Sequence, residues 1–255
     1  MNVIQECRQL IANGHRQEAL NALLVQPETP EVLFLLALCH NTDQHIHWKR
    51  AIDALGPTPS QDLLLALGQA ITQSRKDLAF TQQCTYLRQA IDVSKSLEQH
   101  IQQIHWISVL ANRLLRLGNT DQALPWLQQS VQLSIQYQHH LATIGQGLIL
   151  SGIWFSRGEI DRVSALSLSI EHAATQRHNW LAFATARNTR ASCLLIRGQH
   201  KEALSLLLEG GDQLSSKGAV AALNIIKARL GELHLLLGQE RITELIAANQ
   251  TGSAS

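Results

Sequence analysis

Apolar residues recur every three or four positions along most of the chain, which is the spacing of helices with one buried face. Between Gln99 and Tyr137 two such stripes follow one another. The first consists of Ile104, Ile107, Leu110, Ala111, Leu114 and Leu117, and the second of Ala123, Leu124, Leu127, Val131 and Ile135. Gly118 lies between them. The pattern therefore predicts two helices that fold back on each other as an antiparallel pair.

Glycines mark the same point in successive pairs. Gly118, Gly158, Gly198 and Gly238 are spaced by 40 residues, and each follows an apolar helical stripe. Glycine after a helix is a stop signal, because it takes the left-handed backbone conformation without steric cost. A fixed period of this kind predicts a stack of similar helix pairs and not one globular enzyme core.

Seven helix pairs are predicted along the chain. Their ranges are 2–12 and 16–25, 30–41 and 43–54, 60–75 and 78–97, 99–117 and 120–138, 140–157 and 159–177, 178–197 and 200–217, and 219–237 and 239–249. Because neighbouring repeats share a core, we expect a single domain over 1–249. Within it, 1–57 contains shorter, irregular repeats and 58–249 the long ones. The small, polar stretch 250–255 is expected to be a disordered tail.

The order of large and small residues resembles the tetratricopeptide repeat family. The residues that fit the family series are Ile107, Leu110, Ala111, Leu114, Gly118, Ala123, Leu127 and Ser130, with a partial match at Ala191, Leu194, Gly198, Ala203, Leu207 and Gly210. The resemblance implies an all-α, right-handed α-α superhelix of about six to seven helix pairs. The 40-residue period is longer than the family's usual value of about 34. In this it is similar to sensor domains of bacterial regulators of the maltose-regulator type.

The resemblance also implies a binding surface, since the first helix of each pair lines the concave groove in that family. The positions that would face the groove are His105, Ser108, Asn112 and Arg116 in one unit and Thr185, Asn188 and Ser192 in another. Asn side chains can hold a peptide backbone and an arginine can pair with a carboxylate. The two-lysine, two-asparagine and arginine set of the chaperone-binding members is absent, so we do not expect that particular peptide tail.

Arg187 and Arg190 depart from the family pattern, which prefers large apolar residues at their positions. One interpretation is a basic strip that binds an acidic segment of a partner. The alternative is that such arginines favour the helix dipole and lie over apolar neighbours. Both interpretations stay open at the level of the sequence, and both residues are kept as candidate partner-binding positions.

Composition narrows the function classes. The 21 basic and 20 acidic residues give a formal charge of +1, whereas nucleic-acid binding usually requires a basic excess, so no nucleic-acid partner is expected. No stretch has the roughly 20 apolar residues of a membrane span. The N-terminus lacks the basic and apolar regions of a secretion signal, which favours a cytoplasmic location. The four scattered cysteines are interpreted as buried, reduced residues.

Candidate chemistry is sparse. The segment from Cys39 to His47 contains a thiol, imidazoles and a carboxylate at short spacing, but it has no matching second half-site, so a polar inter-helix turn is the preferred interpretation over a zinc site. Gly145-Gln146-Gly147 lies within a helical pattern, where it favours close helix packing over phosphate binding. No catalytic motif is apparent, and we expect no metal and no cofactor.

These observations favour a non-enzymatic protein-interaction module that holds a peptide or helix of another protein in its groove. One alternative is a regulatory sensor that responds to a small ligand or peptide. A remote alternative is a metal-dependent enzyme using His40, His45 or His47. The partner's identity and the oligomeric state are not encoded in any recognisable motif.

Overall fold

The structure, a computed structural model, describes residues 3–40, 44–73 and 79–252, and every regular element in these ranges is an α-helix. The chain divides into two compact units, Met1–Ala123 and Leu124–Ser255. The first contains α1 (Val3–Ala12), α2 (Arg16–Leu23), α3 (Pro30–Cys39), α4 (Gln44–Leu55), α5 (Gln61–Gln73), α6 (Phe80–Ser96) and α7 (His100–Arg116). Helix α8 (Thr120–Gln136) begins in the first unit and ends in the second. The second continues with α9 (His140–Ser156), α10 (Ile160–Gln176), α11 (Trp180–Ile196), α12 (His200–Ser216), α13 (Val220–Leu237) and α14 (Gln239–Gly252).

All fourteen predicted helices are present in the described ranges, and the prediction of an all-α chain built of successive helix pairs is confirmed there. Helices α1 to α4 have 8 to 12 residues, whereas α6 to α12 have 17 each. That all of residues 1–249 form a single domain stays a prediction. Residues 253–255 of the expected tail lie outside the described residues.

The long helices repeat every 20 residues, because a three-residue turn joins each to the next. The middle residue of every such turn has a left-handed φ, both at Gly118, Gly158, Gly198 and Gly218 and at Glu98, Gln138 and His178. The residue after it closes the turn: the amide of His139 donates to the carbonyl oxygen of Ser134 at 2.7 Å. This is the helix-ending motif that usually contains glycine. The 40-residue glycine period therefore marks every second turn of a 20-residue structural period.

We expect Gln138→Gly to raise the free energy of unfolding by about 1 kcal/mol, because glycine removes the cost of placing a side chain at φ 53°. Urea unfolding followed by circular dichroism measures the change. The matched control is Gln132→Gly, an exposed position inside α8, where glycine should cost about 1 kcal/mol. Equal effects of the two substitutions would contradict the special geometry of the turn.

Each unit has its own apolar core. In the first unit the buried ring of Trp48 meets Phe34 edge-on at 6.0 Å between ring centroids. In the second, buried residues of α9 to α14 form one continuous cluster that includes Phe183, Leu207 and Ile226. Most of these buried residues belong to the apolar stripes read from the sequence, although some polar side chains, Gln83 and Glu171 among them, are buried as well.

Gly147 packs as the sequence predicts, whereas Gly145 does not. A Cβ on Gly147 would lie 2.9 Å from Cγ1 of Ile170 on α10, but a Cβ on Gly145 would meet nothing within 4 Å. Only the second glycine of the Gly145-Gln146-Gly147 motif is therefore required for the close approach of α9 and α10.

None of the helices in the described ranges combines the length and the hydropathy that a bilayer span requires.

Candidate functional site

A cleft of about 360 Å³ lies between α6 and α7 in the first unit. Its lining residues are Phe80, Gln83, Val109, Asn112, Arg113, Arg116 and Leu117. Two of them, Asn112 and Arg116, are groove positions chosen from the sequence. The cleft combines apolar side chains with an amide and two guanidinium groups, and no carboxylate is among the residues that line it. It is therefore suited to a segment that carries both a carboxylate and an apolar group.

Arg113 is held in place by groups of its own chain. One guanidinium nitrogen donates to Oε1 of Gln83 at 2.6 Å, and another lies 3.4 Å from the carbonyl oxygen of Ile71. These contacts fix the guanidinium at the wall of the cleft, where burial and a defined orientation reduce the ordering cost of binding. Arg116, by contrast, is an exposed side chain one helical turn further along α7.

His105 and Ser108 are not among the residues that line this cleft. His105 lies at the surface of α7 with its ring edge-on to Trp106, 4.6 Å between centroids. Partial desolvation lowers the pKa of His105, which favours the neutral imidazole. The structure thus brings together two of the four predicted residues on α7 and leaves the other two outside the cleft.

On α11 the predicted groove residues are engaged by a neighbouring helix. Nε of Arg229 on α13 donates to Oδ1 of Asn188 at 2.8 Å, and a second nitrogen of the same guanidinium donates to the hydroxyl of Ser192. The hydroxyl of Thr185 donates to the carbonyl oxygen of Leu181 in its own helix. Asn188 and Ser192 therefore join α11 to α13, and partner binding by Thr185, Asn188 and Ser192 stays a prediction.

Arg187 and Arg190 face a carboxylate of their own chain. Glu171 on α10 is buried, with Nε of Arg187 at 3.4 Å and a guanidinium nitrogen of Arg190 at 3.3 Å from its oxygens. The guanidinium of Arg187 also lies over the ring of Phe183, 5.0 Å from the centroid. The two arginines therefore form a charge cluster with the buried Glu171, and Arg187 lies over an apolar neighbour, as the second sequence-based interpretation expects. Partner binding at Arg187 and Arg190 stays a prediction.

Gly210 on α12 provides the space for this cluster. A Cβ at that position would lie 2.6 Å from Cδ of Arg187, so any side chain there would displace the arginine. Burial raises the pKa of Glu171, and the two arginines lower it by attraction; burial has the larger effect, so the pKa lies above its usual value. Desolvation of the charges opposes formation of such a cluster during folding. Removing one of its members also lowers the free energy of unfolding, because the remaining charge loses its partner.

The Cys39–His47 segment shows a ring stack, with the rings of His40 and His47 parallel at 3.8 Å between centroids. Asn41, Thr42 and Asp43 lie outside the described residues, as does the side chain of His45. Within the described ranges no group of three or more His, Cys, Asp or Glu could hold a metal ion. The four cysteines are buried, as predicted, and burial raises the pKa of the thiols of Cys7, Cys39, Cys84 and Cys193.

No protein-family model and no curated protein sequence matches this chain. The solved structures that resemble it include a Rap protein complexed with competence and sporulation factor, at 12% identity and a TM-score of 0.44. That alignment covers 95% of this chain and 75% of the Rap chain. Another is aspartyl phosphate phosphatase F from Bacillus subtilis, at 8% identity and a TM-score of 0.49, covering 93% of this chain and 68% of the other.

Several residues of these sites were missed at the level of the sequence. Arg113 and Gln83 were not assigned to the groove, and the contact between them joins residues 30 positions apart in sequence. The cluster around Glu171 carried one usable signal: a glutamate at an apolar stripe position of α10 requires a buried counter-charge. Arg229 gave no such signal.

Proposed function

We propose that the chain is a protein-interaction module that binds a peptide segment of another protein in the α6–α7 cleft, without catalysing a reaction. The observation that carries the proposal is the cleft itself, in which Asn112 and Arg116 share one cavity with Arg113 and apolar walls. Its lining consists of amides, guanidiniums and apolar groups, which recognise and hold a ligand.

The geometry supports an extended segment with a carboxylate beside an apolar side chain. The guanidiniums of Arg113 and Arg116 complement the carboxylate, and the amide of Asn112 can accept from and donate to a peptide backbone. Phe80, Val109 and Leu117 offer apolar contact, with Leu117 55% exposed. Because Gln83 already holds the guanidinium of Arg113 in place, binding of a peptide does not have to order this side chain of the cleft, which reduces the entropic cost of binding.

A peptide library displayed on phage tests this proposal. We expect selection on the wild-type chain to enrich peptides with an acidic residue or free C-terminus next to an apolar residue. For a selected peptide, Arg116→Ala should weaken binding roughly ten- to a hundredfold in fluorescence anisotropy, since a hydrogen bond to a charged group contributes about 1.5–3 kcal/mol. Asn112→Ala should weaken binding by a smaller factor.

Arg88→Ala is the matched control, because it removes the same charge from an exposed position on α6 that does not line the cleft. Its peptide affinity should equal that of the wild type. If Arg88→Ala and Arg116→Ala weaken binding equally, the effect is one of net charge and the cleft is not the site.

A further inference from the structure

Three inter-helix turns lie side by side at one edge of the second unit. They are the turns 137–139, 177–179 and 217–219, which precede α9, α11 and α13. Two cavities join them: one of about 610 Å³ is lined by Gln138, His140, His172 and Gln176 among others, and one of about 560 Å³ by residues from Arg177 to Leu181 and from Ala219 to Ala222. We call residues 137–142, 177–182 and 217–222 the basic edge.

The charges of the basic edge are not balanced locally. Its residues include no Asp or Glu, and the exposed side chains of Arg177 and Lys217 form no ion pair with any part of the chain that the structure describes. A carboxylate of a partner can therefore pair with Arg177 or Lys217 without competition from a carboxylate within the basic edge.

The opposite edge of the same unit is different. There, charged residues of the turns and of the helix starts that follow them pair with one another: Arg162 with Glu159 at 2.7 Å, Arg197 with Asp161, and Arg241 with Glu244 at 2.7 Å. Both edges are exposed and are built from the same kind of turn, so the contrast does not follow from the fold. It distinguishes the basic edge as a surface with unsatisfied charge.

Apolar side chains are exposed among these charges. Leu141 and Leu181, the second residues of α9 and α11, are 59% and 54% exposed, and Val220, the first residue of α13, is 67% exposed. Leu181 and Val220 border the 560 Å³ cavity, whose wall also includes Trp180. An apolar side chain that enters this cavity would lie beside Arg177, which lines it, and Lys217 precedes the lining residue Ala219 by two positions in the sequence.

We propose that the basic edge is a second docking surface, which binds an acidic, amphipathic segment of a partner protein. Carboxylates of the segment lie against Arg177 and Lys217, and its apolar side chains enter the cavity between the starts of α11 and α13. A recessed apolar cavity favours protruding side chains over a flat lipid surface. A nucleic-acid backbone is bound by many cations that neutralise its phosphates, and it offers no apolar side chains. The basic edge has two full cations, Arg177 and Lys217, beside exposed aliphatic side chains, so it suits a protein segment better.

Fluorescence anisotropy with a synthetic probe tests this assignment on the full chain. The probe is a labelled helical peptide with leucine on one face and glutamate on the other; its matched partner has glutamine in place of every glutamate. We expect the acidic peptide to bind at least about tenfold more tightly than the glutamine peptide at physiological ionic strength, and the difference to shrink as salt is raised. The double variant Arg177→Glu, Lys217→Glu should lose this preference.

The charge-matched control is Arg162→Glu, Arg241→Glu on the opposite edge, which should keep the preference; circular dichroism verifies that both variants stay helical. Val220→Asp should weaken binding of the acidic peptide as well. This variant separates docking of side chains in the cavity, which Val220 lines, from long-range electrostatic attraction. Equal binding of the two peptides, or an equal loss in both double variants, would overturn the proposal. So would binding to phosphatidylserine vesicles or duplex DNA that depends on Arg177 and Lys217 while the peptide does not bind. The measurements are repeated in the Arg116→Ala background, which removes a guanidinium of the α6–α7 cleft; a preference that persists there and is lost with Arg177→Glu, Lys217→Glu belongs to the basic edge, so the two proposed surfaces succeed or fail separately.

Discussion

Glu171→Ala is expected to lower the free energy of unfolding by about 3–5 kcal/mol, the cost of leaving buried charges without their partner. Arg187 and Arg190 lie within 3.4 Å and 3.3 Å of the Glu171 oxygens, and their side chains are only 12% and 25% exposed. Arg187 is confined further, because its guanidinium lies over the ring of Phe183 and its Cδ would lie 2.6 Å from a Cβ added at Gly210. Urea unfolding followed by circular dichroism measures the loss.

The physical cause is separated from simple loss of volume by two further variants. Glu171→Gln keeps the size of the side chain and resembles the protonated carboxyl, which the raised pKa shows the fold to favour, so it should cost much less stability than Glu171→Ala. The triple variant Glu171→Leu, Arg187→Met, Arg190→Leu removes all three charges and should be close to the wild type, because apolar replacement of a whole buried cluster is often neutral. A triple variant as unstable as Glu171→Ala would contradict the charge argument.

The pH dependence of the same cluster has a definite sign. Burial raises the pKa of Glu171 above its usual value, so the folded chain holds the proton more tightly than the unfolded chain. The free energy of unfolding therefore falls as pH rises from the usual glutamate pKa to the raised one. The difference between wild type and Glu171→Gln, measured through the acidic range, should show this slope.

The sequence was sufficient for the helices and insufficient for most of the side-chain partners. Helix existence follows from a stripe of apolar residues, which each segment carries by itself. Turns at Glu98, Gln138 and His178 were placed without glycine because the stripes around them end and restart. The left-handed φ of these three residues could not be predicted from their residue types, because the flanking helices impose that conformation.

The candidate sites show the same limit. Asn112 and Arg116 were found because they occupy surface positions of a helix that was correctly placed. Asn188 and Ser192 occupy the corresponding positions on α11, yet Arg229 from the next pair binds both. Whether a polar side chain faces solvent or another helix depends on residues about 40 positions away, and a repeat pattern gives the register of the helices but not these contacts.

Gly145 and Gly147 lie two residues apart on α9, and alanine at these two positions should change the free energy of unfolding in opposite directions. Gly147→Ala should lower the free energy of unfolding by about 1–3 kcal/mol, because the new Cβ would lie 2.9 Å from Cγ1 of Ile170, a side chain with no exposed surface. Gly145→Ala in the same helix should raise it by about 0.5–1 kcal/mol, since its Cβ meets nothing within 4 Å and alanine is the better helix former.

Urea unfolding of the two single variants measures both signs, and Ile170→Val provides the test of mechanism. Valine is one methyl group smaller, so Gly147→Ala should cost less in the Ile170→Val background than in the wild type, with a coupling of the size found for residues in contact. If Gly145→Ala and Gly147→Ala change stability in the same direction, helix propensity alone governs this helix. The contact between α9 and α10 would then not require glycine.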